Sequence, residues 1–151
     1  MLVKMLIDGV SKDGNLLLNV GPTARGEFDD QALHVLGEIG KWMRRHKGSV
    51  YGCGPARFTP PPDCRYTAGH GRVYLHIFSW PFGHLHLNGL AGRVEFARFL
   101  HDGSEVRREE IDPQQTPNTV RMAGPPGGTL TLKLPVRRPD TLVPVFELFM
   151  R

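Results

Sequence analysis

Cysteine is scarce: two residues in 151, Cys53 and Cys64. They flank a proline-rich stretch and could pair if that loop folds back. A disulfide-stapled scaffold is nevertheless excluded, and without a secretory signal free thiols are the expectation. No Cys-x-x-Cys pair and no Ser/His/Asp set appears. The one glycine cluster, AGPPGGT (residues 123 to 129), lacks the Lys-Ser/Thr and helix that must follow a phosphate-binding loop, so it reads as a turn. No apolar run is long enough to cross a bilayer. The opening MLVKMLIDGV is too short and too charged for that, and it lacks the small-residue cleavage site of a signal peptide. The sequence therefore shows no signal peptide or transmembrane segment and assigns no compartment. Internal repeats are absent as well.

What remains has the composition of an ordinary soluble globular protein, 40% hydrophobic and 23% charged. At this length the chain can form one medium domain, or a small domain plus a fragment of another. The balance is mildly basic, with a net charge of +4 and a pI near 9.4. Lys41, Arg44, Arg45, His46 and Lys47 cluster where a helix ends, and cations there face the negative end of the helix dipole. No recognised binding motif accompanies them, so no nucleic-acid partner is expected. Glycine (18) and proline (13) fall mostly after Val50, which indicates short strands joined by loops in that part.

Two periodicities divide the chain. Leu2, Val3, Leu6, Ile7 and Val10 recur at helical spacing, and Ser11 to Gly14 (SKDG) ends that helix in a tight turn. Leu16 to Val20 is an unbroken apolar run, the signature of a strand buried on both faces, closed by Gly21 and Pro22. Phe28 to Lys47 is a second helix, with Asp29 or Asp30 in its first turn and Leu33, Leu36, Ile39, Trp42 and Met43 as an apolar stripe. Helix, strand, helix is an α/β pattern, yet one strand cannot make a sheet. Residues 51 to 66 form a Pro/Gly-rich connector. Beyond it, residues 72 to 79, 84 to 90, 94 to 100, 129 to 134 and 143 to 150 read as short strands of an antiparallel β-sandwich. The expected class is α+β, with residues 1 to 50, 51 to 66 and 67 to 151 as its three parts.

This order of pieces resembles the C-terminal part of the α-L-fucosidases of glycoside hydrolase family 29. The stretches that carry the resemblance are LVKMLIDGVSKDGNLLLNVGPTARGEF, LGEIGKWMRRHKGSVYGCGP, RVYLHIFSWP, and LTLKLP with the closing VPVFELF. The first is the specific one. The resemblance implies a catalytic (β/α)8 barrel followed by a β-sandwich. Leu2 to Val10 would then be the seventh barrel helix, Asn15 to Val20 the eighth strand and Phe28 to Lys47 the eighth helix. A complete barrel takes about 250 residues, more than this chain holds. The implied reaction is retaining hydrolysis of terminal α-L-fucosyl residues, with no cofactor or metal. Such a reaction needs two carboxyl groups about 5 Å apart. The family's nucleophile and acid/base both lie upstream of the matching region, so no catalytic residue is assigned here and the chain alone is expected to be inactive.

Other carboxylates offer no substitute. Asp29 and Asp30 suit helix capping, and Glu109, Glu110 and Asp112 lie in a polar stretch expected as a solvated loop. Asn19 and Thr23 stand where the resemblance places the sugar-facing end of strand eight. They either line the sugar pocket or serve the turn and cap, the weightier reading. His76, His84 and His86 lie on what reads as a hairpin around WPFG. One register puts all three on a common face, where zinc is conceivable, but ordinary packing is preferred. Trp80 and Phe82 either stack on a sugar or, as preferred, seal the sandwich against the helices. A non-catalytic carbohydrate-binding or structural module is the alternative function. The apolar residues of the first two helices and the leucine run imply self-association or a partner that supplies the missing barrel.

Overall fold

A computed structural model describes residues 2 to 110 and 127 to 151. Its elements in chain order are α1 (Leu2–Val10), α2 (Asp30–His46), a 3-10 turn (Lys47–Ser49), then β1 (Gly54–Pro55), β2 (Cys64–Gly69), β3 (Arg72–Ile77), β4 (His84–Leu87), β5 (Val94–Phe99), β6 (Arg108–Glu110), β7 (Leu130–Lys133) and β8 (Val145–Met150). The strands form two antiparallel sheets, β1-β2-β3-β8-β5 and β4-β7-β6.

The alternation within β3 explains the layering. Val73, Leu75 and Ile77 point inward and meet Leu85, Leu87, Leu130 and Leu132 of the second sheet in one core. Tyr74 and His76 point to the opposite face, where Tyr74 packs with Val145 against Val3, Ile7 and Trp42 of the helices. The result is three layers: helices, five-stranded sheet, three-stranded sheet. Period-two patterning on a strand buried on both faces requires this.

Polar clamps fix the helices to the sheet. The Lys4 ammonium donates to the Phe78 carbonyl at 2.9 Å, and Asp8 accepts from the Arg65 guanidinium at 2.6 Å. The Trp42 indole N–H donates to the Val143 carbonyl at 2.8 Å. The β2–β3 hairpin turns through His70 and Gly71, both at positive φ (55° and 73°), the backbone that matches the right-handed strand twist. Beside it, a Cβ at Gly69 would sit 2.7 Å from the Gly52 carbonyl oxygen, so only glycine lets this strand pass the connector.

Three expectations change. Leu16 to Val20 lies between the helices but forms no strand, and Leu17 is 85% exposed. Without a neighbouring strand its backbone has no ladder to join. The connector contains the start of β2, from Cys64 onward, a strand that its four prolines and its charges obscured. Arg108 to Glu110, expected as a loop, pairs with β7 as an edge strand, where charged side chains are at home. Asp112 and residues 123 to 126 lie outside the described residues.

Candidate functional site

At the helix layer, the segment after Val20 is a polar surface. Asn19 and Thr23 are both exposed. Thr23 closes a compact turn: its N–H donates to the Glu27 carbonyl at 2.7 Å and its hydroxyl accepts from the Glu27 N–H at 3.3 Å. Asp29 caps α2, accepting from the Ala32 N–H at 2.6 Å. Cap and turn chemistry thus occupy Thr23 and Asp29. Asn19 stands free of the core.

Several acidic side chains are engaged locally. Asp8 pairs with Lys12 and Arg65, Glu38 with Lys41, Glu109 with Lys133, and Asp102 accepts from the Ser104 N–H and hydroxyl. Glu147, buried, lies between Arg72 at 2.9 Å and Arg98 at 2.7 Å. Where carboxyls are moved from their ordinary range, they move down. Hydrogen bonds from Lys12 and Arg65 lower Asp8, a hydrogen bond from Lys41 lowers Glu38, and at Asp102 burial is outweighed by the Ser104 hydrogen bonds and His101 together. A general acid needs the opposite shift.

The histidines do not assemble as one register suggested. β3 and β4 belong to different sheets, so WPFG crosses between sheets and does not close a hairpin. His84 and His86 are exposed on the outer face of the three-stranded sheet, while His76 is fully buried under the helices. Among the described residues no group of three metal-binding side chains could hold an ion. His76 instead joins a buried junction. Its Nε2 donates to the Thr67 hydroxyl at 2.9 Å, which itself donates to the Ser49 carbonyl at 2.7 Å. Nearby, His46 Nδ1 donates to the Trp42 carbonyl at 2.8 Å and its ring stacks on Trp42. Burial drives both imidazoles toward the neutral form, His46 down to about 4 and His76 down to about 3. Among the described residues, the remaining nitrogens, His46 Nε2 and His76 Nδ1, have no hydrogen-bond partner.

Trp80 is half-buried at one end of the sandwich, stacked on Phe99, with its indole N–H donating to the Pro135 carbonyl at 3.2 Å. It seals the inter-sheet core, not the helix contact. Phe82 is 88% exposed, contrary to the preferred buried role; Gly83, immediately after it, takes a positive φ of 74°. Cys53 and Cys64 are free thiols. Burial pushes the Cys64 thiol up to about 12 and raises Cys53 also, so neither is an activated nucleophile.

One feature of the surface was legible only in part. The basic end of α2 and the loop Arg137–Leu142, nearly a hundred residues apart, form the two walls of an open cleft of about 1250 Å³. The basic run on α2 is read from the sequence but Arg137 and Arg138 are not, and their meeting depends on Trp42 docking on Val143.

Residues 1–48 match a family model described as alpha-L-fucosidase. The alpha-L-fucosidase of Branchiostoma floridae is 35% identical over 83 residues, and the human plasma alpha-L-fucosidase 34% over 85; each match covers 53% of this chain and 18% of the relative. Among solved structures, alpha-L-fucosidase isoenzyme 1 from Paenibacillus thiaminolyticus superposes with a TM-score of 0.83 at 40% identity, covering 99% of this chain and 34% of that one. A Bacteroides thetaiotaomicron GH29 alpha-L-fucosidase, trapped as a covalent intermediate with 2-fluoro-fucosyl fluoride, superposes at 0.80 and 28% identity, covering 99% and 32%. The chain thus spans about a third of the solved relatives it matches.

Proposed function

We propose, for a chain related to the α-L-fucosidases of glycoside hydrolase family 29 and similar to their C-terminal portion, that it serves as the closing part of such an enzyme and does not turn over fucosides by itself. In this reading α1, the extended segment from Asn15 to Val20 and α2 are the last helix, strand and helix of a (β/α)8 barrel. A linking stretch and the β-sandwich follow. Completed by seven further strands, the barrel would hydrolyse terminal α-L-fucosyl residues with retention, using two carboxyls about 5 Å apart. Asn19 and Thr23 would then stand at the sugar-facing end of the eighth strand.

The observation that carries this reading is the segment itself. Leu16, Leu17 and Leu18 have a buried strand's composition, yet Leu17 is 85% and Leu18 38% exposed, with no ladder partner among the described residues. Apolar side chains exposed in a row call for a covering element, and a parallel barrel neighbour has the right geometry. The downward-shifted carboxyls at Asp8, Glu38 and Asp102 support the second half of the proposal. The test is to join this chain to the barrel portion of the Paenibacillus relative in place of that enzyme's own C-terminal third. Restored release of chromophore from an aryl α-L-fucoside, with the separate chain inert, is the expected result. Turnover by the separate chain would overturn it.

A second reading, a non-catalytic sugar-binding module, draws on one observation, the 88% exposure of Phe82 in the turn beside Trp80. Titration with fucose, following the Trp80 indole resonance, separates the two; a saturable shift abolished by Phe82→Ala favours the module.

A further inference from the structure

The cleft between the C-terminal half of α2 and the loop Arg137–Leu142 gathers an excess of positive charge. Lys41, Arg44, Arg45, Arg137 and Arg138 line it, against Glu38 and Asp140. Glu38 is already engaged by Lys41. Among the described residues, Arg44, Arg45, Arg137 and Arg138 have no carboxylate partner within ion-pair distance.

The helix dipole accounts for cations on α2, where they face the negative end. It does not account for Arg137 and Arg138, which arrive from a separate loop. Bringing two sets of like charges together across a cleft costs Coulomb energy that a bound anion would recover. The loop wall is also held in place. One Arg138 nitrogen donates to both the Thr141 carbonyl at 2.9 Å and the Leu142 carbonyl at 2.8 Å, and the neighbouring Val143 carbonyl receives the Trp42 indole N–H from the opposite wall. The two walls are therefore tied at the base of the cleft, which lowers the ordering cost of binding between them.

We propose that this cleft is a binding site for a tetrahedral oxyanion of the sulfate or phosphate type, free or carried as an ester on a sugar. Guanidinium forks bind such oxygens bidentately. A tetrahedral anion presents oxygens toward both walls at once, whereas a planar carboxylate offers a single edge. Pro139 and Leu142 add apolar surface on which an attached sugar ring can rest. Among the described residues, the cleft is lined by α2 and the Arg137–Leu142 loop alone.

The test is a titration of the full chain with sodium sulfate, with a monosaccharide sulfate and with the same sugar unsulfated, at matched ionic strength. The separately assigned indole N–H resonances of Trp42 and Trp80 are the readout. Saturable movement of Trp42 but not Trp80 is expected with both sulfates and not with the neutral sugar. Tighter binding of the sugar sulfate than of sulfate identifies the ester as the fitting form, and equal binding identifies the free ion; both support the site. Arg44→Gln and Arg137→Gln should each weaken binding about tenfold, while Arg57→Gln and Arg107→Gln, exposed outside the cleft, should leave it unchanged. All four are surface changes, and an unaltered unfolding midpoint confirms that each variant is folded. No saturation at Trp42, or equal losses from all four variants, would overturn the proposal.

Discussion

Glu147 shows how single side chains hold the five-stranded sheet together. It sits in a cross-strand row on the helix-facing side, opposite Tyr74 on β3 and Arg98 on β5, and its two oxygens take Arg72 and Arg98 separately. Both guanidinium groups also lie over the Phe149 ring, Arg72 at 3.9 Å from its centre. Removing the buried acid leaves two cations facing apolar surface. Glu147→Ala should cost about 3 kcal/mol in urea unfolding with an unchanged m-value, and Glu147→Gln about half of that. The buried imidazoles set a pH limit. Both have native values below that of the unfolded chain, so protons bind the unfolded state first. Their contribution is complete above about pH 6.5 and is lost as pH falls toward 4 and then 3. The unfolding free energy should drop by roughly 2 kcal/mol per histidine between pH 7 and pH 4.5. His76→Gln, which keeps a donor for Thr67, should flatten that slope; an identical slope in the variant would show that other groups set it. Cys64, buried with its thiol pushed up, should ignore a thiol-reactive dye at pH 8 until the chain unfolds.

Among elements, α2 is tied to the sandwich through Trp42. Trp42 fills the helix-side core, stacks on His46 and caps the Val143 carbonyl. Trp42→Phe should cost about 1–2 kcal/mol, chiefly the buried carbonyl left unpaired, and Trp42→Ala about 3–5 kcal/mol, read as shifts of the urea midpoint. This helix was readable from the sequence because its cap, stripe and basic last turn all agree. α1 and the strands β3, β4, β5, β7 and β8 were readable for the same reason, since alternation and turn residues coincide. β2 was not, because Asp63, Cys64 and Arg65 at its start mimic a loop, and its role comes from pairing with β3 and β1. The two-sheet placement of His76 and His84 was hidden as well. A proline-containing link of six residues can close a hairpin or cross a sandwich, and only the packing of Leu75 against Leu87 decides.

For the whole molecule, the helix layer is covered on its sheet side and open on the other. Met5 (51%), Leu17 (85%), Phe28 (47%) and Leu33 (53%) are exposed there, where the proposed barrel would lie. The separate chain should therefore associate with rising concentration in sedimentation velocity, and Leu17→Asp with Leu33→Asp should reduce that association without lowering stability. The direct test of the proposed division of labour is covalent trapping. The purified chain, alone and joined to the barrel portion of the Paenibacillus relative, is incubated with 2-fluoro-fucosyl fluoride and its intact mass is measured. A fucosyl adduct on the joined protein, mapped to the barrel portion, and none on the separate chain is the predicted result. An adduct on any aspartate or glutamate of this chain would contradict it.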